Sequence, residues 1–156
     1  LKDRVGSTAA ISTVAIVALG TGMGIGRWYG GLVLKNLSLD TQLLAIIALQ
    51  FVGFLGFWLS HNMVISLFCL LVVGLGISMQ FALSSIRLIG LSDGRPDLAI
   101  GRASLAAGVA IAGAPFLLGL LGDSFGISRA YIMVFVLIGI AFIIVKAIPS
   151  HVKETA

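Results

Sequence analysis

Four stretches of this chain run for twenty residues or more without an Asp, Glu, Lys or Arg. They are residues 5–26 (22 residues), 41–60 (20), 62–86 (25) and 103–122 (20). A helix needs roughly 20 apolar residues to cross about 30 Å of hydrocarbon, and each of these stretches meets that length. A fifth run, 130–145, has only 16 uncharged residues, but it extends to Ile148 once Lys146 carries its ammonium to the interface on its own methylene stem. A water-soluble domain of this size does not offer an alternative. Only 10% of the residues are charged and 59% are hydrophobic, whereas soluble domains carry roughly a quarter charged. The chain is therefore expected to be an all-α integral membrane protein. It reads as a single transmembrane domain with five transmembrane helices, over residues 7–34, 41–60, 62–88, 102–122 and 129–148.

The first span contains a glycine ladder, GTGMGIGRWYGG (20–31), after the apolar run STVAIVAL. A strand-like run before glycines, with Asp40 about 20 residues on, suggests a dinucleotide-binding turn. The spacing excludes it. G-x-G-x-x-G needs a third glycine five residues after the first, and those positions hold Ile25, Arg27 and Tyr29. G-x-x-x-G does fit, at Gly20/Gly24, Gly22/Gly26 and Gly26/Gly30. Glycines four apart lie on one side of a helix and let a second helix approach closely. Gly22, Gly26 and Gly30 are thus expected to form a packing face.

The ten Lys and Arg are distributed unevenly. With five spans, one side holds Lys2, Arg4 and Arg129, and the other holds Arg27, Lys35, Arg87, Arg95, Arg102, Lys146 and Lys153. Positive charge stays inside, so the tail is expected in the cytoplasm and the N-terminal end outside, in a plasma membrane of bacterial inner-membrane type. Trp58 and Tyr131 fall at outer span ends and Trp28 and Tyr29 at an inner one, which are belt positions. The net charge of +4 fits this sorting and anionic lipid. A basic groove with interleaved aromatics, as nucleic acid would require, is missing. The chain opens on Leu1 with no signal-peptide pattern, so it is expected to be a piece of a longer protein.

Polar residues at depth are the candidates for function. Gly76, Gln80, Ser84 and Arg87 follow one another at four- and three-residue steps on one face of the third span. A glutamine near the bilayer centre is costly unless it meets a partner, water or substrate. Gln80 therefore either bonds another helix or lines a substrate path. Thr21 sits at similar depth, although threonine often bonds its own helix backbone. Arg27 and Arg87 are the charges nearest the interior; Arg27 either pairs with Asp93, Asp97 or helix-end carbonyls, or binds an anionic substrate together with Arg87. Pro115 removes a backbone bond in the fourth span and is expected to kink it. The second and fifth spans are the bulkiest and are expected at the lipid-facing edge, leaving the first, third and fourth as lining helices. Cys69 is the only cysteine, so no disulfide forms within the chain. Clustered nucleophile, base or metal ligands are missing, so neither an enzyme nor a bound metal or cofactor is expected.

A shift of 87 residues lays Gly26 on Gly113, Tyr29 on Phe116 and Asn36 on Asp123, a weak internal repeat of the kind transporters are built from. Two runs carry a family likeness. GMGIGRWYGGLVLKN (22–36) resembles the G-R-x-x-G-G run before the loop between helices eight and nine of major facilitator superfamily transporters. GAPFLLGLLGDSFG (113–126) resembles the eleventh helix of that family, ending in G-x-x-x-D-x-x-G at Gly119, Asp123 and Gly126. The chain departs from the pattern at Lys35 and Asn36, where the family often carries an aspartate. The resemblance implies helices eight to twelve of an MFS-type six-helix bundle, lacking the seventh helix and the N-terminal bundle. The implied function is secondary active transport of a small solute by alternating access, in lipid and without a cofactor. The alternative is a non-transporting membrane subunit or assembly partner.

Overall fold

The computed structural model describes the backbone of residues 9–92 and 94–149, with side chains from Thr13 onward. The expected start of the first span at residue 7, the charges Lys2, Arg4 and Lys153, and the possible partner Asp93 lie outside the described residues. Within them the chain is helical, with no strand. The elements are α1 (Ala9–Leu34), α2 (Leu39–Leu59), α3 (Met63–Gly90), α4 (Pro96–Phe125), α5 (Ile127–Ala130) and α6 (Ile132–Ala147). Among the described residues, four segments are long and apolar enough to cross a membrane: Leu39–Leu59, Met63–Gly90, Pro96–Phe125 and Ile127–Ala147. α1 is 26 residues long, and its side chains are described from Thr13 onward.

Short polar side chains set the helix ends. Ser38 caps α2, its Oγ accepting from the Thr41 backbone N–H at 3.4 Å, and Asp40 in the first turn faces the positive end of the helix dipole. Asn62 caps α3 in the same way, its Oδ1 accepting from Val64 N–H at 2.9 Å and Ile65 N–H at 3.5 Å. Ser60 C-caps α2 through its N–H to Gly56 O at 3.0 Å, so only residues 60–62 separate the two helices. Gly94, with φ +82°, turns the chain after α3 into α4, whose first turn holds Pro96. Gly126, with φ +83°, ends α4 and starts α5. Both glycines occupy backbone conformations that cost other residues a steric penalty.

α4 runs from Pro96 to Phe125, longer at both ends than the expected 102–122, with Pro115 inside it. The last apolar segment is interrupted at Tyr131, between α5 and α6.

Internal packing divides the chain into two units, residues 1–83 and 84–156. In the first, α3 packs against α1 on one face and α2 on another. Gly74 and Gly76 make this possible, because two positions apart on a helix point roughly 200° apart. A Cβ at Gly74 would strike Leu19 O of α1 and come within 3.2 Å of the Gly22 Cα. A Cβ at Gly76 would lie 2.5 Å from Gln50 Cγ and 3.0 Å from Ile46 O of α2. From the other side, a Cβ at Gly22 would strike Leu71 O, one at Gly26 would lie 2.8 Å from Leu75 O and against the Ser78 hydroxyl, and one at Gly30 would strike the Met79 sulfur. A Cβ at Gly53 would crowd Val72 and Val73, and one at Gly56 would lie 2.7 Å from the Cys69 sulfur. α2 buries Leu43, Ile46, Ile47, Gln50 and Phe54 along one face; its opposite face leaves Val52 and Leu59 exposed.

In the second unit, α4 buries only Ala99 among its described residues and exposes Leu105, Val109, Ile111 and Phe116. Water does not tolerate an apolar surface that continuous on a monomer, whereas hydrocarbon does. The apolar helices and their exposed faces fit an integral membrane protein.

The glycine contacts make a phase-specific prediction. Gly22→Leu and Gly26→Leu should each destabilise the protein by about 1–3 kcal/mol through overpacking. Gly20→Leu and Gly24→Leu should be tolerated, since nothing lies within 4 Å of either position. Thermal unfolding of the purified variants in one detergent separates the two pairs.

Candidate functional site

Hydrocarbon offers no hydrogen bonds, so a polar side chain set deep in an apolar helix must find a partner within the protein. In the first unit that partner is another amide. Gln50 of α2 donates from Nε2 to Gln80 Oε1 of α3 at 2.6 Å. Gln50 is 5% exposed, whereas Gln80 is half-buried. Gly76 permits the pair: its missing side chain leaves room for the Gln50 stem, one turn of α3 before Gln80.

Gln80 thus bonds a second helix and keeps part of its surface open. Gln50 was not among the sequence candidates. The signal that could have found it is plain in hindsight: it is the only amide in the run ALQFVGF, near the middle of its span. α2, bulky enough to be expected at the lipid edge, carries this amide on its buried face.

Thr21 does not join this pair. Its hydroxyl donates to Val17 O of its own helix at 2.8 Å, a bond that satisfies threonine without a tertiary partner. Ser84, one turn after Gln80, is exposed. Arg27 is exposed on α1, and among the described residues its guanidinium has no hydrogen bond or ion pair. An apolar cleft of about 370 Å³ lies nearby in the same unit, lined by Gly26, Tyr29 and Gly30 of α1, Ile46 of α2, and Leu75 and Met79 of α3.

Arg87 belongs to the second unit, and its surroundings are of another kind. It is 9% exposed and donates from Nη2 to Val145 O at 3.4 Å and to Ile148 O. These carbonyls lie at the C-terminal end of α6, where the last backbone oxygens have no intrahelical donor and the helix dipole is negative. Arg87 therefore acts as a side-chain cap, tying the end of α3 to the end of α6. The shared face with Gly76, Gln80 and Ser84 gave no sign of this partner, which lies on a helix far along the chain. Asp123 is exposed, Gly119 has open space around it, and Gly126 serves the turn between α4 and α5. Pro115 is exposed on α4.

Among the described residues, no group of three His, Cys, Asp or Glu could hold a metal ion. Comparison with protein-family models, with curated proteins and with solved structures finds no match.

The amide pair can be measured by a double-mutant cycle. Gln80→Leu alone strands the buried Gln50 amide and should cost about 1–3 kcal/mol. Adding Gln50→Leu should recover part of that loss, giving a coupling of about 0.6–2 kcal/mol. Additive losses in the thermal or denaturant unfolding of the four proteins would show that the pair does not interact.

Proposed function

We propose that this chain is the C-terminal part of a secondary transporter of the major facilitator type, moving a small solute by alternating access. On this reading α1 is a fifth span, and α1 to α6 correspond to helices eight to twelve. An N-terminal bundle and a seventh helix complete the carrier. The seven-to-three bias of Lys and Arg supports a cytoplasmic C-terminus, and a bacterial inner membrane is the proposed location.

The observation that carries the reading is the amide pair. Polar groups in the membrane interior are expensive and are kept where they are used, commonly facing a bundle interior or a water-filled path. Gln50 is enclosed and serves the helix contact. Gln80 shares that bond, remains half-open, and stands on the α3 face that continues to the exposed Ser84. Gln80 and Ser84 are therefore the proposed path-lining residues, while Gln50 is the proposed support. Thr21 and Arg27 have weaker support: one is spent on its own backbone, and the other is exposed in the second half of α1. Arg87, used as a helix cap, is proposed as structural. The Gly22/Gly26/Gly30 ladder supports the reading in a different way, because bundles that rock need helices packed by close backbone contact rather than by large interlocked side chains.

The test is transport by the full-length gene product in membrane vesicles, against a panel of sugars, amino acids, carboxylates and lipophilic cations. A solute flux should appear that collapses when the ion gradient is dissipated. Gln80→Leu should shift the apparent affinity or the range of solutes, whereas Gln50→Leu should lower stability and leave affinity unchanged. No flux from correctly inserted protein would favour the non-transporting subunit. Equal kinetic effects of the two substitutions would remove Gln80 from the path.

A further inference from the structure

The turn between α3 and α4 builds a second cleft, separate from the amide pair and unlike it in chemistry. Its volume is about 570 Å³, and its lining includes Leu88, Leu91, Ser92, Arg95, Leu98 and Arg102. All of these residues belong to the second unit. Sequence and backbone explain the arrangement. Gly94 takes φ +82° and the Arg95 N–H bonds back to Ser92 O at 3.1 Å, so the chain reverses within three residues. Arg95 is the N-cap of α4 and Arg102 lies seven residues on, which is two helical turns. Both arginines line the same cleft, beside Leu88 and Leu91 at the α3 end and Leu98 in the first turn of α4.

We propose that this cleft binds the phosphate-bearing headgroup of an anionic phospholipid. Three features point to that ligand. The first is exposed positive charge: Arg95 and Arg102 are both exposed, and neither makes a side-chain hydrogen bond or ion pair with another described residue. Asp97, in the first turn of α4, does not line the cleft. The second is the helix terminus: Arg95 provides no side-chain cap and Pro96 has no N–H, so the Asp97 and Leu98 N–H groups, ahead of the Ala99 N–H that bonds Arg95 O, are left for an anion. The third is the other half of the lining. Leu88, Leu91 and Leu98 offer hydrocarbon beside the cations, which suits a diester carrying glycerol and acyl chains and offers nothing to a free phosphate ion. Basic pockets between helices at a membrane face are suited to such headgroups, and the planar guanidinium forks match phosphate oxygens. The inference needs a membrane but does not depend on the transporter reading; on the sidedness proposed above, the cleft meets the cytoplasmic leaflet.

The experiment is lipid retention by the purified protein. The protein is reconstituted in nanodiscs of phosphatidylcholine mixed with phosphatidylglycerol, extracted in mild detergent, and weighed with its bound lipid by native mass spectrometry. Wild type should retain phosphatidylglycerol over phosphatidylcholine. The double variant Arg95→Gln/Arg102→Gln should lose about tenfold of that preference, while Arg95→Lys/Arg102→Lys keeps part of it and Arg129→Gln keeps all of it. Unfolding temperatures of the variants in phosphatidylcholine alone should match wild type, because both side chains are exposed. Equal retention of the two lipids by wild type, or an unchanged preference in the glutamine variant, would overturn the proposal. So would displacement of the lipid by inorganic phosphate at matched concentration, which would make the ligand a soluble anion.

Discussion

Helices in hydrocarbon gain nothing by hiding apolar side chains from one another, because lipid tails are as apolar as leucine. What holds them together is contact area, and contact area depends on how near the backbones can come. In the first unit this distance is set at α3. Gly74 lets α1 approach until its Gly22 Cα lies where a side chain would otherwise begin, and Gly76 does the same for α2 at Gln50. Because the two glycines are two residues apart, they open nearly opposite faces of one helix. Large residues at either position would remove one neighbour. The ladder on α1 and the pair Gly53 and Gly56 on α2 are the matching surfaces.

The polar contacts depend on that closeness. Glutamine side chains are short, and Gln50 reaches Gln80 at 2.6 Å only because its stem passes over Gly76. The bond satisfies two groups that would otherwise lie in hydrocarbon, and it gives the α2–α3 contact a register that leucine packing does not. In the second unit Arg87 has the corresponding task with a different chemistry, supplying donors to carbonyls at the end of α6. A cation there also meets the negative end of the helix dipole. The two units thus use the same economy: a small number of polar groups, each committed to a partner, within helices that are otherwise apolar.

Much of this could be read from residue order because bilayer physics leaves few options. Uncharged runs of twenty residues or more imply apolar helices, and Ser38, Asn62, Gly94 and Gly126 mark their ends by familiar capping and turn chemistry. The G-x-x-x-G spacing pointed to close approach along Gly22, Gly26 and Gly30, where the pattern runs for two steps and not one, and Leu71, Leu75, Ser78 and Met79 of α3 meet that face. Gln50 was missed because apolar bulk was read as a property of a whole helix, whereas α2 has a buried face and an exposed one. For Arg87 the helix that supplies the carbonyls is a matter of tertiary arrangement, which residue order does not show. The cleft at Arg95 and Arg102 was equally hidden. Two arginines seven residues apart are ordinary in a loop until the turn at Gly94 folds leucines beneath them.

The central claim is that α1 and α3 touch backbone to backbone at Gly22 and Gly74. Solid-state NMR on protein in lipid bilayers, with ¹³C placed selectively at glycine Cα atoms, measures this without changing a residue. A through-space cross-peak between the Cα atoms of Gly22 and Gly74 is expected, with none from Gly20 or Gly24 to any residue of α3. Absence of the first peak in well-ordered spectra, or its replacement by contacts from Gly20 and Gly24, would contradict the account.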